Sequence, residues 1–206
     1  MLNAKKTKVI GLTGMSGAGK TTACRMFCEA GFYIIDCDLI CREIVEKGQP
    51  CLDKIVSSFG TEILTSNGEL NRGMMGKIIF SDPDKRMKLN GIMYPYVSYS
   101  VINKVLLTNA EYTVLDAPTL FESGLDSICD IIVSVISDKE LLIKRIMFRD
   151  GITEGEAKNR LNSQHDAVFF NERSDIVLVN NGSEDDFSKE IIKTISRIKK
   201  ENEQKI

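Results

Sequence analysis

Apolar positions along this chain follow two alternating rhythms. Residues 8–13 (KVIGLT) form a short β-branched run that ends among glycines, the pattern of a buried strand feeding a loop. Residues 21–30 then carry Ala23, Met26, Phe27 and Ala30 at helical spacing, and Gly31 ends that helix. Residues 32–35 are a compact apolar run closing at Asp36, which predicts a second buried strand, and a further helix opens at Asp38. From about 39 to 107 the period is mostly helical, with breaks at 48–50, 60, 67–68 and 81–83.

Strand character returns at 112–115, closing at Asp116, and again at 131–134, with a loop over 117–124 between them. Residues 139–149 read as an amphipathic helix stopped by Gly151, and Thr153 with Glu156 has the spacing of a capping box opening the next helix. A last strand at 176–179 and a turn at 180–182 lead to a terminal helix capped by Ser183. Its Phe187, Ile191, Ile192, Ile195 and Ile198 are expected to form one apolar stripe, and 201–206 to fray. Strands alternating with helices predict an α/β fold, a parallel five-stranded sheet covered on both faces. A chain of 206 residues can bury one sizeable core, so a single domain spanning 1–206 is expected. Within it, 39–107 form a helical insert and 139–165 a basic helical lid.

Charge and cysteine content narrow the partners. With 27 basic against 29 acidic residues, nothing draws the chain to nucleic acid or to an anionic membrane surface. Residues 1–8 are polar and lack the apolar run of a signal peptide, and no stretch approaches a membrane-spanning length, so a cytosolic address is expected. The six cysteines, 24, 28, 37, 41, 51 and 129, include no Cys-x-x-Cys and are accompanied by a single histidine, His165. They read as reduced packing residues rather than metal ligands.

The sharpest signal is Gly14-Met15-Ser16-Gly17-Ala18-Gly19-Lys20-Thr21, which matches Gly-x-x-x-x-Gly-Lys-Ser/Thr between a predicted strand and helix. Glycines at 14, 17 and 19 let successive amides point at one anion, and the following helix adds its positive end. A nucleotide site is therefore expected over Gly14, Gly17, Ala18, Gly19, Lys20, Thr21 and Thr22. Lys20 is suited to the β and γ phosphates of ATP, and the Thr21 hydroxyl to a bridging Mg²⁺. No Asn-Lys-x-Asp guanine reader follows a candidate strand, which weakens a switch GTPase, and an ATP-driven machine would bring a longer chain. A small-molecule kinase fits best. Another small kinase acting on a nucleotide or nucleoside, and a nucleotide-gated switch without catalysis, are the alternatives.

Asp38 follows the second strand, a placement near the carboxyl ends of a doubly wound sheet where a carboxylate can accept a hydroxyl proton. Asp36 and Asp38 flank Cys37, and either could instead cap the helix that begins there. Arg145, Arg149 and Arg160 lie on or near the two helices joined by Gly151, where they could close over a γ-phosphate or simply form a solvated face.

Together these segments resemble dephospho-coenzyme A kinase, a P-loop family similar to the nucleoside monophosphate kinases. The resemblance covers nearly the whole chain: GLTGMSGAGKTT (11–22), IDCDLICREIV (35–45), FG (59–60), GELNR (68–72), IFSDP (79–83), LDAPTLFESGL (115–125), RIMFRDGIT (145–153), AKNRLNSQ (157–164) and SDIVLVNNGS (174–183). It implies ATP-dependent phosphorylation of the ribose 3′-hydroxyl of dephospho-coenzyme A, the last step of coenzyme A synthesis, with Mg²⁺. It further implies Asp38 as base, Arg42 near substrate, Lys20 and Thr21 on phosphate and metal, Arg145 as lid arginine, and Asp116, Pro118 and Glu122 bordering the substrate cleft. Loop architecture alone could equally explain Pro118, Phe121 and Glu122. Departures from the family pattern are Tyr94-Pro95 for His-Pro, Asn71 for Asp, Thr119 within Pro-Leu-Leu, Leu142 for a common glutamine, and Met15-Ser16 for Gly-Ile. The oligomeric state is not specified by the sequence.

Overall fold

A computed structural model describes residues 7–203, and their side chains over 7–200. Residues 1–6 of the polar N-terminal stretch, and 204–206 of the segment expected to fray, lie outside the described residues. Five strands, β1 (Lys8–Gly14), β2 (Tyr33–Asp36), β3 (Tyr112–Asp116), β4 (Ile131–Ile136) and β5 (Ile176–Val179), form one sheet in the order β2-β3-β1-β4-β5. The helices in chain order are α1 (Lys20–Glu29), α2 (Cys37–Glu43), α3 (Pro50–Phe59), α4 (Arg72–Ser81), α5 (Pro83–Leu107), α6 (Lys139–Asp150), α7 (Glu154–Asn162), α8 (Ala167–Arg173) and α9 (Glu184–Glu203). This is the α/β class that the alternation of periods predicts.

Strand β1 sits at the centre and pairs in parallel with β3 and β4, while β4 pairs in parallel with β5. Its five inner residues are all buried, so both faces of the sheet are covered there, as a parallel sheet requires. The order reverses at β1, and a crevice outside the strand ends at such a reversal is where doubly wound sheets bind ligands. Register brings Asp116 level with Leu12, and Val135 level with Gly14. The end of β1, where the chain leaves the sheet, is thereby flanked by a carboxylate on one side and by backbone carbonyls on the other.

The described chain divides into two compact units. The first takes the residues up to Ile35, Asn109–Leu120 and everything from Leu125 onward; the second takes Asp36–Thr108 and Phe121–Gly124. In the first, α1 and α9 pack on each other, α1 against β1 and β3, and α9 against β5. Phe27, Phe32 and Tyr112 form a ring cluster with centroids 5.1 and 4.9 Å apart. Lys199 of α9 lies over Phe32 and donates to the Ala30 carbonyl at 2.7 Å. In the second unit α5 packs against α2, α3 and α4, burying Ile40, Leu52, Ile55, Leu89, Val97 and Val101.

Three expectations change, and one helix is added. Strand β2 is an edge strand, not a buried one: Tyr33 is 43% exposed and only Ile35 is buried. Ile192 is 56% exposed and leaves the α9 stripe, which runs through Phe187, Ile191, Ile195 and Ile198; one residue past Ile191 is a rotation of about 100°, enough to face water. Cys28 is exposed rather than packed. Helix α8 is not anticipated at all, because its apolar residues 167–170 (AVFF) fall in one run rather than at helical spacing.

Candidate active site

The phosphate loop is built where glycine alone fits. Gly14 has φ 141°, and a Cβ there would stand 2.1 Å from the Val135 carbonyl oxygen. Gly17, at φ 80°, lies under α6, with a Cβ position 3.1 Å from Ile146 Cγ1 and 3.5 Å from the Leu142 carbonyl. Leu142, where the family has a common glutamine, is fully buried in this packing. Gly19 is the left-handed N-cap of α1 and offers no capping side chain, which suits the end of that helix to an external anion.

Lys20 opens α1 and pairs with the Asp116 carboxylate at the end of β3, each side chain being only 18% exposed. One turn along, Cys24 meets the same carboxylate; burial, and then the Asp116 charge, push its thiol up to about 12. Thr21 in the first turn of α1 is exposed and Thr22 half-buried. The Thr13 hydroxyl, fully buried, donates to the Pro118 carbonyl at 3.3 Å, so the loop after β3 is fastened to β1. The first unit thus gathers Gly14–Thr22, Asp116, Pro118 and Arg145.

Helix α6 and the segment after α7 sit on this loop. Arg145 donates to Ser137 Oγ at 3.3 Å and to Asn180 Oδ1 at 3.5 Å. Arg149 forks onto Asp150 at 2.7 and 2.9 Å and reaches Ser16 Oγ at 3.4 Å. Arg160 pairs with the same Asp150, whose carboxyl is held below its usual range chiefly by the hydrogen bond from Arg149. Gln164 Oε1 accepts from the Ser16 amide at 3.1 Å. The turn between α6 and α7 is made by Gly151 at φ 63° and by the capping box of Thr153 and Glu156, with both of its hydrogen bonds present.

Sequence reasoning assigned no part to Asp150, Ser16, Gln164, Ser137 or Asn180. Gln164 and Asn180 do stand in AKNRLNSQ and SDIVLVNNGS, but neither position announces its contact, since each reaches Ser16 or Ala18 from about 150 residues away in the chain.

In the second unit, Asp36 and not Asp38 caps α2, accepting from the Leu39 amide at 2.9 Å. Asp38 is exposed in the first turn, and Arg42 is exposed in the last, with its carbonyl accepting from Arg72 at 3.4 Å. Burial, then the charge of Asp38, raise the Cys41 thiol, and Arg72 opposes them. Tyr94 is half-buried; burial and then Glu122 raise its phenol. The charges of Asp38 and Arg72 thus bear on Cys41, and that of Glu122 on Tyr94. Asn71 caps α4 by accepting from Met74 at 3.0 Å, a task that asparagine performs as well as the usual aspartate. Tyr94 can hydrogen-bond where the family has histidine but cannot carry an imidazolium charge.

The dephospho-CoA kinase family profile matches residues 8–186. Dephospho-CoA kinase of Listeria monocytogenes is 39% identical over 196 residues, covering 94% of this chain and 98% of that protein. The rice (Oryza sativa) dephospho-CoA kinase is 35% identical over 92% of this chain and 85% of its own length. The solved dephospho-CoA kinase from Campylobacter jejuni superposes with a TM-score of 0.71 at 28% identity, covering 94% of this chain and 98% of that one. With its phosphate loop, its Lys20–Asp116 pair and a match that runs from β1 into α9, this chain belongs to the dephospho-CoA kinase family.

Proposed function

We propose that this protein transfers the γ-phosphate of ATP to the ribose 3′-hydroxyl of dephospho-coenzyme A, giving coenzyme A and ADP. The observation that carries the proposal is the family match over residues 8–186.

In the proposed reaction the bond from the acceptor oxygen to the γ-phosphorus forms as the bond to the ADP oxygen breaks, and the hydroxyl proton passes to Asp38. Asp38 is assigned this role as an exposed carboxylate in the first turn of α2. Loop amides and the start of α1 hold the β and γ phosphates, and Lys20 follows the charge as it moves. When a triphosphate enters, the Lys20 ammonium exchanges part of its attachment to Asp116 for phosphate oxygens. Arg145, fixed by Ser137 and Asn180, supplies a guanidinium over the transferring group, and α6 with α7 keeps water away. Arg42 and Glu122 are proposed to contact the acceptor, and Asp116 and Pro118 to shape the loop beside the phosphates.

The oxygen donors at the loop, the exposed Thr21 hydroxyl and the Asp116 carboxylate, are of the hard kind that suits Mg²⁺. Bound there with the triphosphate, the ion would neutralise charge on the β and γ oxygens. A cytosolic address belongs to the same reading, resting on six free thiols; among the described residues no helix is long and apolar enough to cross a membrane.

The test is formation of ADP and 3′-phosphorylated product from MgATP and dephospho-coenzyme A, with AMP, adenosine and shikimate as competing acceptors. Preferential turnover of dephospho-coenzyme A is expected. Preference for another acceptor, or tight ATP binding without transfer, would overturn the assignment.

A further inference from the structure

Asn180, the first residue after β5, makes contacts that neither the family match nor the phosphate-loop motif assigns. Its backbone is fixed at both ends: the amide donates to the Ile136 carbonyl at 2.9 Å, and its carbonyl accepts from Ser137 Oγ at 2.7 Å. Its side chain then bridges two parts of the phosphate site. Nδ2 donates to the Ala18 carbonyl at 2.7 Å, and Oδ1 accepts from Arg145 at 3.5 Å. The two partners settle which way the amide faces, since a carbonyl needs a donor and a guanidinium an acceptor. The fit is close as well: a Cβ on Gly19 would stand 2.6 Å from Asn180 Nδ2.

The Ala18–Gly19 peptide is trans, and in a trans peptide the C=O and the following N–H point in opposite directions. A carbonyl held by Asn180 therefore turns the Gly19 N–H away from Asn180. We propose that Asn180 is a positioning residue for phosphoryl transfer: it sets the orientation of the Ala18–Gly19 peptide so that the Gly19 amide faces the nucleotide phosphates, and with the same side chain it holds Arg145 over them. Were the Ala18 carbonyl to swing round, an oxygen would replace a donor against the anion. Asn180 couples loop and lid through one rigid amide anchored on the sheet.

This inference rests on the ATP-site reading, and two variants separate its parts. Asn180→Ala removes both contacts. Asn180→Asp keeps an acceptor for Arg145 but sets a carboxylate against the Ala18 carbonyl, in nearly the same volume. Calorimetric titration with MgATP and steady-state kinetics would be run on the full chain. In both variants ATP affinity is expected to fall about tenfold, the effect of one lost hydrogen bond to a charged network, while KM for dephospho-coenzyme A changes less than about twofold. In a double-mutant cycle, Arg145→Ala is expected to lower kcat less in the Asn180→Ala background than in the wild type, and by the full wild-type factor in the Asn180→Asp background. Unchanged ATP affinity in Asn180→Asp, or equal changes in both KM values, would overturn the proposal. The titration needs no acceptor, so wild-type protein that binds ATP without phosphorylating dephospho-coenzyme A would sink the functional reading and still leave Asn180 tested.

Discussion

Two aspartates two residues apart differ in that one of them caps α2. Asp36 accepts the Leu39 amide and caps α2, while Asp38 lies exposed in the first turn with its charge bearing on Cys41. From the letters alone either could cap, because Asp at the start of a helix satisfies an orphan amide from more than one register. The backbone decides: Asp36 is in the extended conformation of a cap, with φ −79° and ψ 106°, and Asp38 is already helical. Asp36→Ala is expected to lower stability by about 1 kcal/mol, the usual worth of a cap. Asp38→Asn should leave stability nearly unchanged and reduce kcat by about 10²- to 10⁴-fold, the range for a lost general base, with ATP affinity held within about twofold. Urea unfolding beside steady-state kinetics on the two variants checks both; full turnover in Asp38→Asn would remove it as the base. At this scale the phosphate loop was fully legible, since Gly14, Gly17 and Gly19 each answer to a steric demand, whereas Gln164 and Asn180 could not be read because their partners lie far off in sequence.

Among elements, those with a complete local signal were readable and those without were not. The α6–α7 turn has Gly151 at its stop and Thr153 with Glu156 at its restart, and both hydrogen bonds of that capping box form. Strand β2 misled because an apolar run of four residues looks the same at a sheet edge as at its centre, and α8 escaped because its apolar residues 167–170 form a run and not a helical period. The capping box also makes the α6–α7 turn sensitive to acid. The hydrogen bonds from Thr153 hold the Glu156 carboxyl below its ordinary 4.5, so its contribution is present above that value and is lost as pH falls through the lower, folded one. Asp150 behaves in the same sense, held down first by Arg149. The difference in urea midpoint between wild type and Thr153→Ala is therefore expected to be largest near pH 6 and to shrink steadily as pH falls below 4.5. A difference that is constant with pH would show that the Thr153 cap acts through the Glu156 amide alone.

For the molecule as a whole, the second unit is nearly one continuous stretch, Asp36–Thr108, so its helices follow from local period. The sheet pairs Lys8 with Tyr112 and Ile10 with Ile131, and no local pattern encodes the order in which distant strands meet. That long-range pairing delivers Asp116 to Lys20, and it links nucleotide binding to global stability. Any ligand that binds only the folded chain stabilises it by about 2.7 kcal/mol at a hundred times its Kd. Lys20→Ala removes the ammonium proposed to meet the phosphates and leaves the Asp116 carboxylate, 18% exposed, without that partner. Two consequences are expected in thermal unfolding. The variant should melt below the wild type without nucleotide, since a carboxylate stranded in a partly buried place costs stability. MgATP at a concentration that fully stabilises the wild type should barely shift the variant. If ATP were to raise the melting temperatures of both proteins equally, the triphosphate would be binding without Lys20, and the phosphate-loop assignment of this lysine would fail even though the loop around it has the right shape.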